Sequence, residues 1–199
     1  MPTDQWKKTV HFANVASMGY NKSLLRILFR AVPEIWGLSL QDYLEHLIQQ
    51  MEQSSPKSTF GLLWERLDAY TDSILSNNAY QLPYFSDQDR PWELDEALSI
   101  VVLLNTNQFF AELYAHSASI LEEQHHAQLQ DLLLYQRHCI PNRHPNPHSV
   151  HFSWDWLSYH HSRSLQRQPT TLQFQQPFYS VMGDNEQFVN MYLNLMQAR

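Results

Sequence analysis

Apolar positions along this chain recur mostly in steps of three and four, the spacing that places them on one side of a helix. Leu24, Leu25, Ile27, Leu28 and Phe29 give the segment from Asn21 to Val32 a broad apolar face, with Asn21 placed to cap it and Pro33 to close it. Pro33 to Leu38 reads as a turn. Ser39 opens a clearer helix, where Leu40, Tyr43, Leu44, Leu47, Ile48 and Met51 share one face and Ser39 with Asp42 resembles a capping box. That helix stops before Pro56, and a third, from Ser58 to Ser76, repeats Leu63, Leu67, Tyr70 and Ile74. Asn77 to Pro91 is polar, with two prolines, the pair Tyr84 and Phe85, and Asp87 and Asp89, so a long loop is expected to divide the chain near its middle.

Pro91 suits the first position of a fourth helix, whose buried face is Leu94, Ala97, Leu98, Val101 and Val102. Glu93, Asp95 and Glu96 crowd its first turn, at the positive end of the helix dipole. A break at Asn105 to Asn107 precedes a fifth helix to Glu122 (Phe110, Leu113, Tyr114, Leu121) and a sixth from His125 to His138 (Leu129, Leu132, Leu133, Gln136), and the pattern also allows these two to be continuous. Three prolines between Ile140 and Ser149 forbid regular structure there. Beyond them Val150 and Phe152, then Leu172 and Phe174, alternate with polar neighbours, which predicts two short strands pairing across Trp154 to His161. Asp184 is placed to cap a last helix carrying Phe188, Val189, Tyr192 and Leu195. The expected fold is therefore mainly α: one multi-helix domain over residues 1–199, with a small two-stranded β element near residues 150–175 and halves 1–80 and 91–199 joined by the polar loop.

Composition narrows the function classes. With 199 residues and 43% hydrophobic content, the chain can bury a sizeable core without disulfides or a structural metal. Four glycines leave little material for a glycine-rich phosphate loop, which argues against a nucleotide-binding fold. A net charge of -7 is the wrong sign for nucleic acid or an anionic membrane. Met1 to Val10 has no apolar core behind Lys7 and Lys8, and the longest purely apolar run after it, Ile100 to Leu104, is far too short for a span; a cytoplasmic protein is expected. A single cysteine, Cys139, fits a reducing compartment and cannot by itself hold an iron–sulfur cluster or a cysteine-type zinc site.

Several constellations could carry chemistry. Glu112, His116, Glu122, Glu123, His125 and His126 include two Glu-x-x-His spacings, each of which puts a carboxylate and an imidazole on one helix face. A di-iron site needs such motifs on separate helices, whereas these overlap and are rotated by one residue. A solvated polar turn is the expected reading, with a helical metalloprotein of oxidoreductase type as the alternative. His138, His144, His148, His151, His160 and His161 surround the proline-rich stretch at irregular intervals, which suggests a weak metal patch instead of a preformed site. Cys139 beside His138 at a helix end is expected to be structural, and no Gly-x-Ser-x-Gly elbow occurs. Trp154, Asp155, Trp156 and Tyr159 suit core packing, or else a pocket wall or interface anchor.

Four stretches carry a family resemblance: HFANVASMGYNKSLLRILF at His11 to Phe29, PWELDEALSIVVLLNTNQFFAEL at Pro91 to Leu113, DLLLYQRHCIP at Asp131 to Pro141, and VHFSWDW at Val150 to Trp156. Together they resemble the C-terminal helical region of cobalamin-binding radical S-adenosylmethionine (SAM) proteins. The matching positions are Tyr20 and Asn21, Trp92 with Glu96, Asn105 with Phe109 or Phe110, and Tyr135 with Gln136. The CxxxCxxC and Asp-x-His-x-x-Gly motifs that such enzymes use for their cluster and cobalamin have no counterpart here. The resemblance thus implies a non-catalytic accessory domain, with cobalamin, SAM and the iron–sulfur cluster supplied by a separate module in cis or in trans. On that reading Trp92, Glu96, Tyr135, Gln136, Trp154 and Trp156 form the substrate or partner surface. An oligomeric interaction module is a third possibility.

Overall fold

A computed structural model describes residues 2–78, 94–140 and 148–174. The fold is mainly helical with one small sheet: α1 (Thr3–Ala16), α2 (Arg26–Glu34), α3 (Leu40–Gln53), α4 (Thr59–Leu75), α5 (Leu94–Leu104), α6 (Thr106–Ile120), α7 (His126–His138), β1 (His148–Phe152), α8 (Trp156–Ser162) and β2 (Thr170–Phe174). The polar loop beyond 78, Trp92, Glu93, His144 and the expected last helix after Asp184 lie outside the described residues.

Side-chain caps explain several boundaries. The Ser39 hydroxyl accepts from Asp42 N–H at 3.3 Å and the Ser58 hydroxyl from Gly61 N–H at 3.0 Å, fixing the starts of α3 and α4 where the sequence places them. Gly61 has a second role, because a Cβ there would run into the Ser55 carbonyl at the α3–α4 corner. Asn105 separates α5 from α6, as expected.

The first helix differs from expectation. Residues 3–16 are helical, and Asn21 does not cap α2; it ends a π-turn over Ser17–Asn21, where Lys22 N–H reaches back to Ser17 C=O at 3.0 Å. A wide turn of this kind redirects the chain without breaking its hydrogen bonds. Gly19 lies in this turn because a Cβ would occupy the space of the Phe29 ring. Pro33 lies inside the last turn of α2 instead of ending it. α6 and α7 are separate, divided at Leu121 and Glu122 by a 3-10 turn over Glu123–His125.

The two strands pair antiparallel with Val150 opposite Leu172 and His148 opposite Phe174. Between them, Asp155 caps the short α8 by accepting from Ser158 N–H at 2.9 Å, and Arg163 ends it in the left-handed region at φ 61°. One buried cluster runs from Val15 through Leu28, Leu47, Leu67, Leu98, Phe109 and Leu132 to Trp156 and Tyr159, so residues of both chain halves share a core. Among the described residues no helix is long and apolar enough to cross a membrane.

Candidate functional site

α7 is the element on which the chemistry-bearing residues converge. Its apolar face holds Leu129, Leu132 and Leu133 in the core, which fixes the helix rotation and thereby the directions of Asp131, Tyr135, Gln136 and His138. Gln136 is almost fully buried. Its Oε1 accepts from Ile27 N–H at 2.9 Å and its Nε2 donates to Ser23 C=O at 3.2 Å. α2 has no side-chain cap from its own segment, and Gln136 supplies one across 109 residues of chain. Ser23, held at φ 62°, is the strained residue that this clamp keeps in place.

Asp131 organises the next connection. Its carboxylate accepts from Ser153 N–H at 3.0 Å, Trp154 N–H at 3.3 Å and the Trp156 indole N–H at 2.8 Å. Trp156 is thereby buried and polar-satisfied at once, whereas Trp154 beside it remains partly exposed. One turn along α7 from Asp131, Leu134 is exposed, and so is Leu157 at the start of α8.

Tyr135 is buried, with its hydroxyl 3.2 Å from His160 Nδ1. Burial pushes its pKa upward, as does the neighbouring Cys139. The Cys139 thiol is itself pushed up to about 12 by burial, so it sits in the core as a neutral group.

Glu96, expected on a binding surface, differs from expectation, and Asp95 lies beside it. Both are buried, and they face the π-turn instead of solvent: Ser17 Oγ donates to Asp95 Oδ2 at 2.7 Å, and Lys22 Nζ lies 3.8 Å from Asp95 and 3.7 Å from Glu96. Of the six residues proposed from sequence as a binding surface, Glu96, Tyr135, Gln136 and Trp156 are interior, Trp154 is partly exposed, and Trp92 is outside the described residues.

The Glu/His constellation on α6 and α7 is dispersed by the break between those helices. Glu112 accepts from Thr59 N–H at 3.1 Å and Phe60 N–H at 2.8 Å, capping α4 from α6. His116, one turn on, is buried against the Tyr43 and Phe60 rings, its Nε2 without a hydrogen-bond partner among the described residues, and burial lowers its pKa to about 4. His126 closes the other end of α6: its Nε2–H donates to Ala118 C=O at 3.0 Å and Leu121 C=O at 3.2 Å. Glu122 and Glu123 are exposed and His125 is half-buried on the turn. Among the described residues no group of three or more His, Cys, Asp or Glu gathers to hold a metal ion.

The residues that sequence reasoning missed are Asp131, as the cradle for 153–156, and His126 and Glu112, as caps. The only signal for them was a polar residue near the end of a helix or on its solvent side. No family model matches the chain, and no curated protein matches it.

Proposed function

We propose that the chain is a non-catalytic helical accessory module, of the kind that the resemblance to the C-terminal region of cobalamin-dependent radical SAM proteins implies, and that it presents a surface to a catalytic module. One observation carries the reading. The stretches behind the resemblance are tied to one another by polar bonds: Gln136 to Ser23 and Ile27 in the core, Ser17 to Asp95, Asp131 to Trp154 and Trp156 half-buried, and Asp131 to Ser153 at the surface. Shared motifs of this sort describe a common scaffold. Their polar groups are spent on holding it, which accounts for motifs without an assembled catalytic constellation.

The chain's own residues do not fit the cofactors of the parent enzymes. A radical SAM cluster needs three thiolates, and Cys139 is single, buried and held neutral. The face proposed for docking is the part of the α7–α8 junction that stays accessible, centred on Trp154 with Leu157 and Leu134, since aromatic and aliphatic anchors of this type concentrate binding energy.

The test is titration of the purified chain against a cobalamin-binding radical SAM module, read by calorimetry. A saturable complex that Trp154→Ala weakens at least tenfold, with unchanged circular dichroism, is expected. Absence of association, or affinity indifferent to Trp154→Ala and Leu157→Ala together, overturns the reading. A mass that rises with concentration in light scattering and drops in the same variants would assign that face to self-association instead.

A further inference from the structure

The histidine-rich stretch after α7 brings two of its members face to face. His138 Nδ1, at the end of α7, lies 3.0 Å from His148 Nε2, at the start of β1. Their ring centroids are 4.9 Å apart, and Phe174 of β2 stacks on both, at 4.9 Å and 29° to His138 and at 5.7 Å and 23° to His148. The register explains the arrangement, because His148 and Phe174 are cross-strand partners. The other described histidines of the stretch are spent elsewhere: His151 lies on the opposite face of β1 beside Thr171 Oγ1 at 3.2 Å, His160 meets the Tyr135 hydroxyl, and His161 stacks on His160.

Two ring nitrogens facing at this distance share one proton, so one of them offers a lone pair and the other an N–H. The same spacing is close to that of two imidazole ligands on one metal ion. Zinc–imidazole bonds of about 2.0–2.1 Å at a tetrahedral angle put two nitrogens roughly 3.3 Å apart, so the rings need to separate by only a few tenths of an ångström. We propose that His138 and His148 form a binding site for a divalent transition metal, zinc in the first instance, which takes the place of the shared proton and fastens the β1–β2 hairpin to the end of α7. An all-imidazole donor pair suits zinc, copper or nickel and does not suit calcium or magnesium, which require oxygen ligands.

The proton balance is simple. With the metal on His138 Nδ1 and His148 Nε2, each neutral ring carries its single proton on its other nitrogen, the ring that had donated between the pair changing tautomer. Water fills the remaining coordination positions. Asp131 already ties 153 and 154 to α7 at the far end of β1, so a metal at His148 would tether the strand at both ends.

The experiment is calorimetric titration of the tag-free chain with zinc at pH 7.5, followed by thermal unfolding with and without the metal. One saturable site and a higher melting temperature are expected. His138→Gln and His148→Gln each weaken that site at least tenfold, whereas His151→Gln and His161→Gln leave it unchanged. A second measurement needs no variant: substoichiometric nickel should broaden the NMR signals of His138, His148 and Phe174 before any other. Zinc binding unaffected by His138→Gln, no saturable site in the wild-type chain, or broadening that begins at His151 or His161 would overturn the proposal.

Discussion

Gln136 shows how much one uncharged side chain can hold. Replacing it with Ala strands the Ile27 N–H and the Ser23 carbonyl in the core, and each orphaned buried group costs about 1–3 kcal/mol. Gln136→Ala is therefore expected to lower the urea unfolding free energy by about 2–6 kcal/mol. Gln136→Glu separates the two bonds: it keeps an acceptor for Ile27 N–H but turns the Ser23 contact into a repulsion between two acceptors. It should still be destabilising, and with Ser23 relaxed it should expose the start of α2 to amide exchange. A Gln136→Ala variant as stable as wild type would show that the clamp contributes nothing. The pattern on α7 gives the burial of Gln136 directly, since it falls with Leu129, Leu132 and Leu133 at helical spacing. It cannot give the partners, because nothing local links position 136 to position 27.

The same distinction runs through the elements. α3 and α4 are legible because their signals are local: an apolar stripe of one period and a serine cap three residues before the N–H that it satisfies. The hairpin is legible because its alternation is a period of two among periods near 3.6. α1 is not, since only His11 and Val15 of its fourteen residues are buried and its polar remainder resembles a loop. The α4 start has a part that no local signal carries, the Glu112 carboxylate from α6. Removing it by Glu112→Ala leaves Thr59 and Phe60 N–H groups without that acceptor and should cost about 1–2 kcal/mol, as loss of a helix cap does. Glu112→Gln keeps one acceptor oxygen and should cost less, so a larger loss for Gln than for Ala in chemical denaturation would contradict the capping role. Gly61→Ala is predicted to be worse than either, because the obstructing atom is the Ser55 backbone carbonyl and the corner cannot yield without moving α3 against α4. Thermal unfolding of the three variants side by side gives the ranking.

At the scale of the whole molecule, acid should be more damaging than the net charge suggests. The isoelectric point is about 5.8, so acidification from neutrality removes the -7 charge and with it any self-repulsion, which alone would favour the folded state. Three imidazoles oppose this. Burial is the first cause of a lowered pKa at His11, His116 and His160, and at His116 the value falls from 6.5 to about 4. A histidine whose folded pKa lies below its unfolded one leaves the unfolded chain binding more protons between the two values, so stability is full above about 6.5 and is lost as pH falls toward the folded value. For His116 that drop, at about 1.4 kcal/mol for each unit, sets a ceiling of about 3 kcal/mol, reached only near pH 4. Dispersed surface charges contribute about 1 kcal/mol or less for each pair, so desolvation prevails. The unfolding free energy in urea should therefore fall steadily from pH 7.5 to pH 5 instead of peaking near 5.8. Its slope should be steepest in the wild type and visibly flatter in His116→Gln, whose uncharged side chain has no proton to take up on unfolding. A maximum at the isoelectric point, or an acid limb that His116→Gln leaves unchanged, would show that His116 is not the buried neutral group the core makes of it.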